Sequence, residues 1–202
     1  MATKVTVNEI KQDWKDLVDS TTITLDHVEP YNKFRVTLGG NRALAIVNES
    51  DGRAFILQLK QDSTGNRTVN WFKKASTFAT TDLNTTNDQI VVGRNIPTTT
   101  PLKFSSSGTL PSGLVAGTRY YAININATTI KVATSIANAQ AGTAIDFTDQ
   151  GSGTHTIETH IRWPGDNEPT LSNGKFRTDT FGFIVDDGLS GIYEGVVISQ
   201  DY

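Results

Sequence analysis

The sequence contains no cysteine and no long hydrophobic run, and each absence excludes a class of protein. Without cysteine, neither disulfides nor thiol chemistry can contribute. The opening MATKVTVNEIKQDW is charged and lacks the apolar core of a signal peptide. No later run approaches the roughly 20 apolar residues of a membrane span. We therefore expect a soluble protein, made in a cytoplasm and not inserted in a membrane.

Charged residues are also scarce, at 19% of the chain, and 18 Lys and Arg against 21 Asp and Glu give a net charge of −3. The basic residues are scattered, whereas a nucleic-acid surface needs them clustered in a patch or stripe. The composition therefore argues against nucleic acid as a partner. A length of 202 residues suits one large or two small domains, each with its own core.

Threonine, glycine, asparagine and serine are abundant, and strand-forming residues recur in short alternating runs. Threonine and other β-branched residues suit a pleated surface, while glycine, asparagine and aspartate supply turns. Short strands at regular spacing predict an all-β fold, a sandwich or barrel. In AFILQLK, Phe55, Leu57 and Leu59 share one face and should be buried. The strand candidates are 23–26, 33–38, 43–48, 54–60, 90–92, 102–104, 119–124, 129–134, 155–160, 175–187 and 191–199.

Several local signals predict turns and helices. Gly39-Gly40, Asp51-Gly52 and Asn173-Gly174 are turn candidates, the last of the type I′ hairpin kind. The segment 135–142 could hold one or two helical turns, with Ser135 as N-cap and Gly142 just past the end. At the front, Ile10, Trp14, Leu17 and Val18 recur at helical spacing, which predicts a short helix or arm within residues 1–20. This apolar stripe either packs against its own sandwich or docks on a neighbouring protein, which makes these four residues candidate assembly contacts.

Residues that could carry chemistry are few, and we predict neither a catalytic site nor a metal site or cofactor. His155 and His160 are five apart on one strand and point to opposite faces, so they cannot easily share an ion. Glu158 and His160 share a face but lack a third ligand. Paired carboxylates such as Asp186 and Asp187 lie in turn-like sequence, where they normally cap backbone amides. No GxSxG, P-loop or HExxH pattern occurs.

Four aromatic residues are candidate ligand or partner contacts. Trp71 and Trp163 could stack on a sugar ring if exposed, although the simpler interpretation is that both close the ends of a sandwich core. Tyr120 and Tyr121 are neighbours on one strand and point oppositely, so we expect one in the core and the other on the surface.

Two stretches, QDSTGNRTVNW (61–71) and IRWPGDNEPTLSNGKF (161–176), look like one motif cut in two. They resemble the segments QDGTGSRTVTW and VRWPGGTAPTLTTTAGK of a β-rich module that is widespread in virion proteins of tailed bacteriophages, especially tail fibres. In that module only a few residues separate the two halves. The intervening 108–157 resembles a second phage-associated module, with the pattern GTLPAGL, YYV and GSGTHT. The chain departs from the first pattern at Asn70, where threonine is usual, and at Phe72, where proline is usual.

The resemblance implies a discontinuous β-sandwich, 21–73 and 161–202, that carries an inserted β-rich module, 74–160. An insertion survives only if its ends lie close together, so Lys74 and His160 should be side by side.

The resemblance also implies a non-catalytic structural protein of a tailed-phage virion. A tail-fibre or baseplate appendage for host-surface contact comes first, a capsid decoration protein that clamps capsomer junctions second, and a glycan-binding module third. The expected partners are other virion proteins, two further copies in a homotrimer, and a host-surface glycan. The expected location is the virion, after synthesis in the host cytoplasm.

Overall fold

The computed structural model describes residues 13–28, 30–187 and 191–201. Fifteen strands and one α-helix are assigned, numbered in chain order: β1 Lys15–Asp16, β2 Thr22–Asp26, β3 Lys33–Leu38, β4 Arg42–Val47, β5 Ala54–Gln61, β6 Val69–Asn70, β7 Lys74–Ala79, β8 Leu83–Asn84, β9 Gln89–Val91, β10 Pro101–Ser106, β11 Tyr120–Asn126, β12 Thr129–Ala133, α1 Ile136–Ala141, β13 Thr154–Thr159, β14 Thr178–Asp187 and β15 Ile192–Ser199. Short 3₁₀ helices lie at Thr80–Asp82 and Pro164–Asp166. The all-β, sandwich-like class is confirmed.

The chain divides into two compact units. The first comprises 1–72, 163–186 and 194–202, and the second comprises 73–162 and 187–193. The second unit thus includes a short segment, 187–193, that lies outside the range 74–160 assigned to the inserted module from the sequence. Ile192, from this segment, is fully buried in the core of the second unit.

The first unit is built from two sheets between which the chain alternates. One sheet has the order β1-β3-β5-β14-β15 and the other β2-β4-β6. The pairs β1–β3, β3–β5, β2–β4 and β4–β6 are all parallel, while β14 pairs with β5 antiparallel. From β1 to β6, strands that follow each other in sequence therefore lie in different sheets, whereas β14 and β15 are neighbours in the five-stranded sheet. Phe55, Leu57 and Leu59 are all buried, as their alternation predicts.

The turn predictions hold only in part for this topology. Gly52 has a positive φ of 72°, but Gly39 and Gly40 do not adopt positive φ, because the connection from β3 to β4 changes sheet and closes no hairpin. The type I′ hairpin at Asn173-Gly174 is wrong. Gly174 has φ 96° but Asn173 has no positive φ, and the following strand β14 pairs with β5.

The N-terminal helix is wrong over the residues that the structure describes. Trp14, Leu17 and Val18 lie in irregular chain on either side of the two-residue strand β1, and Ile10 falls outside the described residues. The reason is parallel pairing: Lys15 stands opposite Phe34 in β3, and the Leu17 amide donates to the Arg35 carbonyl at 2.8 Å. The Leu17 amide, which a helix would use internally, therefore bonds to β3 instead.

The second unit is one seven-stranded sheet of order β7-β13-β10-β11-β12-β9-β8, and its described strand pairs are antiparallel. The predicted helix is confirmed: Ser135 accepts a hydrogen bond from the Asn138 amide, and Gly142 ends α1 in the left-handed conformation. Lys74 at the start of β7 stands opposite Thr159 at the end of β13. The two ends of the segment therefore lie on neighbouring strands, as expected for an insertion.

Candidate interaction surface

The two tryptophans singled out from the sequence lie together inside the first unit. Trp71 and Trp163 are 7% and 5% exposed, and their rings meet edge to face with centroids 5.1 Å apart. Both rings also pack on Phe181, at 4.8 Å and 6.1 Å, and on Phe183. The Trp71 Nε1 group donates to the Pro169 carbonyl at 3.3 Å. Because both indoles are buried among other aromatic rings, neither is open to stack on a sugar.

Tyr120 and Tyr121 are both buried, which corrects the expectation that one of them is on the surface. The side chain of Tyr120 enters the main core of the second unit beside Phe104, and its hydroxyl accepts from the Val115 amide at 2.9 Å. Tyr121 lies in a second apolar cluster with Ala139 of α1. The helix is the physical reason for the difference, because it covers the face of β11 that would otherwise be open to water.

The two halves of the split motif form one structure in the first unit. The Gly174 amide donates to the Asn66 side chain at 3.2 Å, and the Phe176 amide donates to the Asp62 carbonyl at 3.1 Å. Gly65 approaches the other half so closely that a Cβ there would lie 2.6 Å from the carbonyl carbon of Gly174. Only glycine fits such a contact, and the positive φ of 77° at Gly65 makes the same demand. Segments about 110 residues apart in sequence thus share one turn-to-turn contact.

Asp62 fixes the first half of the motif from within. Its carboxylate accepts from the Thr64 and Gly65 amides, each at 2.9 Å, and from the guanidinium of Arg67 at 2.8 Å. The Arg67 hydrogen bond, followed by the backbone amides, lowers the pKa of Asp62 to about 2. These bonds explain why an acidic residue starts the turn, and they leave it with a structural role.

Four exposed aliphatic side chains of the first unit lie on the last two strands. Ile184 of β14 and Val196, Val197 and Ile198 of β15 are 50%, 47%, 38% and 53% exposed. We call these four residues the β15 surface. Gly182 lies beneath two of them, since a Cβ there would be 3.1 Å from Val196 Cγ1 and 3.2 Å from Ile198 Cδ1. A shallow depression of about 430 Å³ adjoins the patch.

The β15 surface was not identified from the sequence, although a signal is present. The run from Gly195 to Ser199, GVVIS, carries no charge and three consecutive apolar residues, whereas a strand with one wet face would alternate. Contiguous exposed apolar side chains on a folded protein usually mark a contact site for another macromolecule.

The three histidines are all buried by the surrounding protein. His27 is buried against the Phe55 ring at 4.8 Å, and burial, followed by the charge of Arg53, lowers its pKa to about 4. Burial, followed by the charge of Lys103, lowers the pKa of His160 to about 4 as well. His155 is fully buried between the Ser106 hydroxyl at 3.0 Å and the Gln150 carbonyl at 2.9 Å. All three imidazoles are thus enclosed by protein groups.

Asp186 and Asp187, which were expected in a turn, are instead the last two residues of strand β14. Asp26 does serve a turn, since it accepts from the Val28 amide at 3.0 Å and from the Asn48 side chain at 2.8 Å. Among residues 13–28, 30–187 and 191–201, no group of three or more His, Asp and Glu side chains could hold a metal ion. Within the same ranges, no helix has the length and apolar character to cross a membrane.

Comparison with known proteins gives no relative: no family model, curated protein sequence or solved structure matches this chain.

Proposed function

We propose that this chain is a non-catalytic structural component of a tailed-phage virion, located in the virion after synthesis in the host cytoplasm. The first placement is a tail-fibre or baseplate appendage that contacts the host surface. Capsid decoration at capsomer junctions is the alternative placement. Both follow from the resemblance of the split motif to a phage virion module, and both require a protein that works through contacts with other proteins.

The packing of the two motif halves is the observation that carries this proposal. If 61–71 and 161–176 derive from one continuous module, an insertion between them must leave their mutual contacts intact. The contacts of Gly65, Asn66 and Trp71 with the second half meet that requirement.

The β15 surface supports a role in assembly. The four aliphatic side chains of the β15 surface are partly exposed to water. Covering them with a partner would remove apolar area from water, which is favourable. By contrast, the enclosed rings of Trp71 and Trp163 give the glycan-binding alternative no open aromatic face. The homotrimer has lost part of its support, because Trp14, Leu17 and Val18 do not form the helical stripe that would join three copies.

Negative-stain imaging of phage particles with an antibody against this chain tests the proposal. We expect gold label on intact particles, at the tail tip or baseplate for an appendage and over the head for a decoration protein. Particles that lack the chain in both imaging and mass spectrometry, while the infected lysate contains it, would contradict the virion assignment. A glycan array addresses the third function, and we expect no bound glycan.

A further inference from the structure

The two ends of the five-stranded sheet differ in how they are protected. Edge strands expose unpaired backbone groups, and soluble proteins usually guard them with short length, charge or proline. At one end, β1 has two residues, Lys15 and Asp16, and Asp16 forms an ion pair with Arg35 at 2.5 Å. At the other end, β15 is eight residues long, and the run from Gly195 to Ser199 has neither charge nor proline. At the start of β15 the Arg162 amide donates to the Tyr193 carbonyl at 2.9 Å, so the edge without the usual protection is the run from Gly195 to Ser199.

Space for a further strand lies along the β15 edge. Val196 and Val197 are consecutive in the strand, so their side chains point to opposite faces of the sheet. Both nevertheless line the same depression of about 520 Å³, whose other wall includes Trp163, Pro164 and Pro169. A cavity that touches both faces of a strand runs along its edge. An extended segment placed there could bond to the backbone of β15 and cover both valines.

We propose that the occupant is β15 of a second copy of this chain, paired antiparallel about a two-fold axis at Val197. This inference rests on the proposed function, in which the β15 surface is a contact site for another protein. It names that partner as the chain itself. The result is one continuous sheet through two copies, and a two-fold contact of this kind is closed and does not propagate.

The sequence of β15 suits pairing with itself. In an antiparallel pair, directly opposed residues share a face, so a two-fold axis at Val197 places Val196 opposite Ile198 of the second copy. Opposed β-branched residues are favourable cross-strand pairs. The same register places Glu194 opposite Gln200, so no two like charges are opposed. A partner strand has to be uncharged and apolar on both faces, and the run 195–199 meets both conditions.

Covalent capture tests the register directly, because the chain has no cysteine of its own. In Val197→Cys, the two thiols of a dimer lie on opposed residues, whose Cα atoms are about 4.5–5.5 Å apart and within disulfide range. We expect mild oxidation to convert most of the protein to a disulfide-linked dimer. Val91→Cys is the matched control, since Val91 is a strand valine of similar exposure, 45%. Equal and slow cross-linking of the two variants would overturn the proposal.

A charge swap tests the contact without a covalent bond. Val197→Lys and Val197→Glu each oppose two like charges, so each variant alone should dimerise at least about tenfold more weakly than the wild type, a difference of roughly 1.4 kcal/mol. Their equimolar mixture should dimerise again, because Lys then faces Glu. Sedimentation velocity over a concentration series measures all three, and circular dichroism checks that each variant is folded. Val91→Lys should leave the dimer unchanged.

Three results would overturn the two-fold pairing. One is a wild-type protein that forms a trimer, together with an equimolar mixture of Val197→Lys and Val197→Glu that does not recover its association. Another is a wild type that stays monomeric at about 0.1 mM, a concentration that would populate even a weak dimer. The last is a monomer whose β15 amides exchange slowly until residues 1–12 are removed, which would make the occupant the chain's own N-terminal segment. A dimer found for a chain absent from phage particles would keep this inference and reject the virion function.

Discussion

Replacing Trp71 by alanine should destabilise the first unit strongly. The ring is 7% exposed and contacts Trp163, Phe181 and Phe183. Removing a buried aromatic side chain costs about 3–5 kcal/mol, from lost transfer free energy and the cavity left behind. The hydrogen bond from Nε1 to the Pro169 carbonyl is lost too and leaves that carbonyl without this donor. We expect a loss of about 4 kcal/mol.

A double-mutant cycle with Trp163→Ala separates the ring contact from the rest. An edge-to-face pair contributes about 0.5–1.5 kcal/mol beyond its buried area. This contact is lost in each single variant but only once in the double variant. The double variant should therefore lose about 1 kcal/mol less than the sum of the two single losses.

Urea unfolding followed by tryptophan fluorescence is the assay, because Trp14, Trp71 and Trp163 all belong to the first unit. For a small domain the urea slope is about 1–3 kcal/mol per molar, so a 4 kcal/mol loss moves the midpoint by more than about 1 M. Trp14→Ala is the matched control, since Trp14 is only half-buried and should cost less. If Trp71→Ala does not fold, Trp71→Phe gives a smaller measurable loss.

A loss below about 1 kcal/mol for both Trp71→Ala and Trp163→Ala would refute the reasoning, since buried aromatic rings are not removed so cheaply. It would mean that the rings are exposed in solution, and the glycan-binding function would regain its support. A loss equal to that of Trp14→Ala would lead to the same conclusion.

Three further predictions concern the motif contact, the buried histidines and the inserted segment. Gly65→Ala should cost at least about 1 kcal/mol more than Gly52→Ala: both glycines have positive φ, but only at Gly65 does a Cβ meet the other motif half, and equal losses by urea unfolding would contradict that contact. The pKa of His27 is about 4 in the folded chain and near 6.5 unfolded, so its stabilisation is full above pH 6.5 and is lost as pH falls towards 4. Discounted for partial solvent screening, we expect His27 to contribute a loss of about 2 kcal/mol between pH 7 and 4, which His27→Phe removes; a His27→Phe variant with the pH dependence of the wild type would argue against it. Replacing 74–160 by a Gly-Ser linker, with Ile192→Ser to avoid exposing a core side chain of the second unit, should leave a cooperatively unfolding first unit; an unfolded product by circular dichroism, with a folded isolated insert, would reject modularity.

Strand positions could be predicted well because alternation is a local property. The runs containing Phe34, Leu57 and Val132 all form strands near the predicted bounds, since apolar residues at every second position can bury one face only in an extended chain. The caps of α1 were equally readable, because Ser135 and Gly142 act on backbone groups within four residues of themselves. The nearness of the two ends of the insertion, Lys74 and His160, was also predicted, and Lys74 stands opposite Thr159, the neighbour of His160.

Other features depend on contacts that no local pattern encodes. Alternation states which face of a strand is buried but not which strand lies beside it, so the parallel pairing of β3 with β5 and of β2 with β4 was not foreseen. The helical spacing of Trp14, Leu17 and Val18 was outweighed by pairing with β3, a tertiary interaction. Tyr121 is buried because α1 happens to cover its side of the sheet.

The sequence by itself therefore determined the all-β class, the positions of eleven of the fifteen strands, the α1 caps and the nearness of the two ends of the insertion, whereas β1, β6, β7 and β8 were not predicted. Tertiary structure alone decided the partners of the strands, the burial of the second tyrosine of the Tyr120–Tyr121 pair and the position of β15 at the edge of its sheet. The physical reason is range. Propensity, alternation and capping act within a few residues of the chain, whereas strand pairing and burial depend on groups brought together across tens of residues, as Asn66 and Gly174 are.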